Sequence, residues 1–96
     1  MENEREEKFL KLLGSKGTKR ILEFLDEHGV ARYKQMEEFL NTHTLNQRLR
    51  ELLAFDLIRH HLERIETRKE WYELTDKGRE VLQILQTLTA LIKEPS

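Results

Sequence analysis

Between Thr42 and Ala54 the chain carries His43, Asn46, Gln47 and Arg50 at spacings that a helix, turning about 100° per residue, gathers on one side. Leu45, Leu49 and Leu52 fall on the other side. The polar group suits the edges of base pairs: an arginine can donate twice to guanine, and asparagine and glutamine can pair twice with adenine. Thr44, at the start of the same helix, can contact a base or a phosphate. Any surface helix has a polar face, so spacing alone leaves base reading and plain solvation equally open. The position after a turn rich in capping side chains and before a hairpin favours base reading.

Further cations surround this segment. Arg64 and Arg68 flank the tip of the expected hairpin, where they can reach an adjacent minor groove or phosphates. A charged tip also protects a sheet edge from pairing with another chain, and both readings stay open. Lys16, Lys19, Arg32, Lys34 and Arg48 are expected as weaker phosphate contacts. Glu51 either orients a neighbouring arginine or is simply solvated.

Other chemistries find little support. His60 and His61 are adjacent on an expected strand, so they project to opposite faces and make a poor metal site. Cysteine is absent, which removes disulfides, thiol catalysis, thiol redox sensing and cysteine-ligated zinc. With no glycine-rich phosphate loop and no nucleophile beside a base, the chain reads as a non-enzyme without a cofactor. Trp71 reads as a cross-strand packing residue in preference to a ligand anchor. His28, before Gly29, is expected at a helix end.

The elements that must position these residues follow from periodicity. Glu2 to Leu13 combines an acidic first turn with Phe9, Leu10, Leu12 and Leu13, which predicts a first helix. After Gly14-Ser15-Lys16-Gly17, Thr18 or Ser15 is expected to cap a second helix bearing Ile21, Leu22, Phe24 and Leu25. Val30 to Tyr33 leans toward strand, and Lys34 to Leu40 toward a short helix. Asn41 to Thr44 supplies caps for the helix over Thr42 to Ala54. Leu57 to Glu63 and Lys69 to Leu74 read as the strands of a hairpin. Thr75 caps a last helix that runs to about Lys93 before Pro95.

A helix-turn-helix followed by a two-stranded hairpin is a winged helix, a mainly α fold with a small β-hairpin. At 96 residues the chain is read as a single such domain over residues 1–96, with terminal helices at about 2–13 and 75–93. Hydrophobic residues at 38% support a core and argue against disorder. Val81 to Ile92, the longest apolar-rich stretch, is too short and interrupted to span a bilayer, and acidic residues, not a signal peptide, follow Met1. A soluble, cytoplasmic protein without a membrane partner is expected. The formal net charge of -1 opposes nucleic-acid binding unless charge is segregated, and acid is indeed concentrated at Glu2, Glu4, Glu6 and Glu7, away from Arg48, Arg50, Arg59, Arg64 and Arg68.

Two stretches carry a resemblance to a known family. The run Asn41-Thr42-His43-Thr44-Leu45-Asn46-Gln47-Arg48-Leu49-Arg50-Glu51-Leu52, then Asp56-Leu57-Ile58, resembles the recognition helix and following strand of HxlR-type regulators, above all in Leu45-x-x-Arg48-Leu49-Arg50-Glu51-Leu52. Trp71-Tyr72-Glu73-Leu74-Thr75-Asp76-Lys77-Gly78-Arg79-Glu80 is similar to the strand-to-helix junction of HxlR, MarR and PadR-like winged helices. The resemblance covers most of the chain and implies a homodimeric transcription factor with terminal helices at the dimer interface. The sequence departs from the HxlR pattern in lacking a cysteine near its start and a proline-rich turn at the wing tip.

In the last helix Val81, Leu85, Leu88 and Ile92 are spaced as a coiled-coil seam, widened by Leu82, Ile84 and Leu91. Phe9, Leu10 and Leu13 of the first helix add a second apolar face. A two-fold homodimer built on these residues would present two recognition helices about one turn of DNA apart, and so predicts a palindromic site on double-stranded DNA. The alternatives are a terminal helix packed only within its own domain and, for function, a winged-helix protein-interaction module. No polar group within the apolar seam marks a small-molecule effector, whose existence stays open.

Overall fold

The computed structural model describes residues 2–93, residue 2 in its backbone only. The order is α1 (Glu2–Leu13), α2 (Thr18–His28), α3 (Tyr33–Met36), α4 (Thr42–Ala54), β1 (Ile58–Arg64), β2 (Arg68–Leu74) and α5 (Asp76–Lys93). The Glu2 carboxylate expected in the first turn and the stop expected at Pro95 lie outside the described side chains and residues. The strands form one antiparallel hairpin, in register from Ile58 opposite Leu74 to Arg64 opposite Arg68.

One cluster of buried side chains ties the helices to the base of the hairpin. Leu12, Ile21, Leu22 and Leu25 meet Met36, Leu45, Leu49 and Leu52, with Leu57, Ile58, Leu74 and Leu82 closing the far side. Burial of each leucine contributes about 1.5–3 kcal/mol. Among the described residues no buried side-chain nitrogen or oxygen lacks a hydrogen-bond partner.

The corner between α1 and α2 is tighter than expected. Gly17, not Thr18 or Ser15, occupies the cap of α2, with φ 89° and no side-chain cap bond. A side chain there would run into Leu40, whose Cδ1 would stand 2.6 Å from an added Cβ. The two hydroxyls instead turn back on α1: Thr18 Oγ1 donates to the Leu12 carbonyl at 2.6 Å and Ser15 Oγ to that of Lys11 at 2.6 Å. The Ser15 bond satisfies a carbonyl that the end of α1 leaves open, and the Thr18 bond adds to a Leu12 carbonyl that also accepts the Ser15 N–H at 3.0 Å.

The strand expected over Val30 to Tyr33 contracts to a bridge. Ala31 and Tyr72 exchange backbone hydrogen bonds of 3.0 and 2.8 Å, and at Tyr33 the chain already turns into α3. The helix expected over Lys34 to Leu40 is likewise a single turn, Tyr33–Met36. It then gives way to turns whose N–H groups at Phe39 and Leu40 share the Met36 carbonyl, delivering Leu40 inward. β1 and β2 match the expected strands to within one residue at their ends.

The end of α4 shows how the helix is aimed into the hairpin. Asp56 takes the left-handed conformation (φ 59°); its N–H reaches the Leu53 carbonyl at 3.0 Å, and the Leu57 N–H reaches that of Leu52 at 2.9 Å. This is a Schellman closure, sealed by apolar contact between residues flanking the turn; Leu52 and Leu57 are both fully buried. Thr75 caps α5 as expected: its Oγ1 accepts from the Gly78 N–H at 2.9 Å while donating to the Asp56 carbonyl at 2.6 Å. Gly78 is required for a different reason, since an added Cβ would fall on the Leu57 carbonyl oxygen.

The expected apolar seam of α5 divides. Leu85, expected on the seam, is only 8% exposed and belongs to the core with Leu82, and Val81, Phe9 and Leu13 are half-buried against that core. Leu85 lies about 60° around the helix from Leu88, which is enough to turn it onto the domain. The uncovered stripe is instead Ile84, Leu88, Leu91 and Ile92, and on α1 Leu10 is also exposed.

Candidate nucleic-acid interface

α4 begins where Asn41, in extended conformation, accepts the Thr44 N–H on its side-chain oxygen at 2.9 Å. This cap satisfies one of the open amides of the first turn and fixes where the polar face starts. Leu45, Leu49 and Leu52 are buried, so His43, Asn46, Gln47 and Arg50 are all exposed on the outward side. Thr44 is half-buried beside the cap.

Arg48, expected among the weaker phosphate contacts, does not join that face and is engaged within the domain. Its side chain is only 13% exposed; Nε donates to the Lys16 carbonyl at 2.8 Å and Nη1 to Glu51 at 2.6 Å. The guanidinium therefore braces α4 against the turn between α1 and α2, and Glu51 orients it. Lys16 is exposed, while Lys19 pairs with Glu23 at 3.4 Å.

Tyr33 was not singled out by the sequence and is the main addition to the site. Its hydroxyl donates to Asn46 Oδ1 at 2.7 Å, linking the first residue of α3 to the outward face of α4. Only the packing of α3 against the core brings them together, and no local pattern announces it.

Arg32, Lys34 and Arg68 are brought together. With Tyr33, Lys69 and Glu70 they line an open groove of about 250 Å³ between the start of α3 and the outer part of β2. Strand alternation turns the side chains of Arg68 and Lys69 to opposite faces of the hairpin. Arg68 pairs with Glu70 at 3.3 Å. Beyond the groove, Arg64 stands directly opposite Arg68 at the end of the ladder, two like charges facing each other beside the tip at residues 65–67.

Below the tip the hairpin is cross-braced on both faces. On one, His60 Nε2 donates to Glu70 at 2.9 Å and its ring stacks on Tyr72 at 4.7 Å. On the other, His61 Nε2 donates to Glu73 at 2.7 Å and stacks on Trp71 at 5.1 Å, so Trp71 is a cross-strand packing residue. The His61 hydrogen bond, assisted by Arg59, holds the Glu73 carboxyl below the usual carboxylate range. Burial, then the nearby Glu70 and Tyr33, pushes the Tyr72 phenol up, which keeps it neutral.

Residues 12–95 match the family model described as HxlR-like helix-turn-helix. No curated protein sequence matches the chain significantly. Among solved structures, ytcD, described as an HTH-type transcriptional regulator, is 32% identical with a TM-score of 0.75, over 88% of this chain and 89% of that one. The transcriptional regulator YodB from B. subtilis in its diamide-treated form is 26% identical with a TM-score of 0.80, over 93% of each chain. The redox regulator HypR in its oxidised form, 20% identical with a TM-score of 0.75 over 92% of this chain and 93% of that one, shares the fold. The chain is thus a winged helix and belongs to the HxlR-like helix-turn-helix family.

Proposed function

We propose that this protein is a transcription regulator that binds double-stranded DNA sequence-specifically as a homodimer. α4 enters the major groove, with His43, Thr44, Asn46, Gln47 and Arg50 toward base edges. The tip arginines Arg64 and Arg68 lie at the minor groove or the phosphates. The observation that carries this reading is the exposed hydrogen-bonding face of α4, backed by buried leucines and flanked by the Arg32, Lys34 and Arg68 groove. Arg64 opposite Arg68 supports it, because the pairing sets two cations side by side at the end of the hairpin, where a phosphate can lie against both. Lys16 and Lys19 are the weaker phosphate contacts in this arrangement.

The dimer rests on the uncovered stripe Ile84, Leu88, Leu91 and Ile92 together with Leu10. An exposed apolar row of this kind favours a second copy over water. With a net charge of -1, useful affinity requires two reading helices acting together, about 34–36 Å apart on successive major-groove faces. Such a regulator works in the cytoplasm, where the DNA is.

Random-site selection with the purified protein at several salt concentrations tests the proposal. A palindromic site with salt-dependent affinity is the expected result. Failure to enrich any site, with no salt-dependent retention on DNA, would overturn it in favour of the protein-interaction module that the overall acidity also suits.

A further inference from the structure

We infer that Tyr33 is a positioning residue that sets which end of the Asn46 carboxamide is offered to DNA, and so which base edge that position reads. The inference rests on the DNA-reading role given to α4 above. A carboxamide has an accepting oxygen and a donating NH₂ of nearly equal shape. With the oxygen outward it accepts from the amino groups of adenine or cytosine; with the nitrogen outward it donates to the N7 and O6 of guanine or the O4 of thymine. A free asparagine can turn to present either.

Asn46 is not free in this sense. Its Oδ1 accepts the Tyr33 hydroxyl at 2.7 Å, which draws the oxygen toward the domain and leaves the NH₂ to face out. The hydroxyl is itself held in place. The Tyr33 ring packs against the core, and its backbone opens α3 two residues after the Ala31 bridge to β2. Asn46 is fixed from its own side by buried Leu45 and Leu49. Turning the amide over would make its NH₂ donate to the phenol oxygen, a weaker acceptor than the carboxamide oxygen, in place of the present bond. The position is therefore biased toward base edges that accept, and the bias originates in α3, outside the helix that touches DNA.

The test uses the full chain and the site selected by the wild type, with affinities measured for every single-base-pair variant of that site. Asn46→Ala should relax the preference at one base pair, where the wild type favours an acceptor edge. Tyr33→Phe, which keeps the ring, should lower discrimination at that same pair by about 3- to 10-fold, the usual worth of one neutral hydrogen bond. Its profile at other positions and its salt dependence should match the wild type. In the Asn46→Ala background, Tyr33→Phe should change nothing further at that pair.

An unchanged profile for Tyr33→Phe, or an equal loss on all variants, would overturn the positioning role and leave the hydroxyl as a simple brace between helices. The positioning role falls equally if Asn46→Ala relaxes no pair. If the wild type selects no site at all, the DNA-reading role falls and this inference falls with it. A selected site with an unaltered Tyr33→Phe profile removes this inference alone.

Discussion

The Leu57 N–H reaches back across Asp56 to the Leu52 carbonyl, 2.9 Å away, and this bond turns the chain from α4 into the hairpin. It requires the left-handed conformation at Asp56, where glycine is more often found and aspartate is tolerated. Asp56→Gly should therefore leave stability nearly unchanged, relief of the backbone offsetting the added freedom of the unfolded chain. Asp56→Val should cost about 1–2 kcal/mol, read from urea unfolding followed by the emission of the single tryptophan.

Gly78→Ala tests the close approach of α5 to the end of α4. Helix propensity alone would make alanine the better residue by about 1 kcal/mol. Contact with the Leu57 carbonyl reverses the sign, because that oxygen also accepts the Thr75 N–H at 3.1 Å and cannot move freely. A net loss of about 1–3 kcal/mol is expected, and a stabilised variant in thermal unfolding would refute the packing argument.

Arg48 and Arg64 should separate stability from binding. Arg48→Ala removes charge-assisted hydrogen bonds to Lys16 and Glu51, which should lower stability by about 1.5–3 kcal/mol and leave the salt dependence of DNA affinity unaltered. Arg64→Ala, at an exposed position, should do the opposite and reduce the log–log salt slope by about 1. Titrations at graded salt beside unfolding curves distinguish them.

Glu73 sets an acid limit to the bracing of the wing. Its folded-state pKa is lowered from the ordinary 4.5, chiefly by the His61 hydrogen bond, so the contribution is fully present above that value. It disappears as the pH falls through the lowered value. Trp71 stacks on His61, and its emission should show a transition on that acid side. Glu73→Gln should abolish the transition; persistence in that variant would assign it elsewhere.

On α5, neighbouring leucines should behave differently. Leu88→Glu or Leu91→Glu, on the uncovered stripe, should yield folded monomers in sedimentation, where the wild type is expected to run as a dimer. Leu85→Glu should instead unfold the chain, since it places a charge in the core. A wild-type monomer at micromolar concentration would eliminate the dimer.

Features decided by neighbours in sequence were legible in advance. The cap of α4 within Asn41 to Thr44, the Thr75 cap, the leucine row of α4 and the two strands of the hairpin depend on residues close to one another, and they appear where the pattern puts them. Features decided across the fold were not. Gly17 caps α2 in place of Thr18 because Leu40 fills the corner, and Arg48 is drawn away from the polar face by a carbonyl far back in the chain. Tyr33 meets Asn46 only once α3 has docked. In α5 the heptad-like spacing merged two adjoining stripes, one covered by the domain and one bare, and periodicity cannot tell which is which. Among the site residues, exposure of His43, Asn46, Gln47 and Arg50 followed from helical spacing; the grouping of Arg32, Lys34 and Arg68 required the hairpin to lie beside α3.

The paired backbone bonds between Ala31 and Tyr72 pin the hairpin to the segment that leads into α3. Mechanically they make a fixed-jaw calliper, with α4 as one jaw and the wing as the other. That joint resists widening of the gap between the jaws, so a complex of the proposed kind would leave the adjustment of groove width to the nucleic acid. Sequences whose grooves already suit the gap, or yield to it easily, would bind better even where no side chain touches a base.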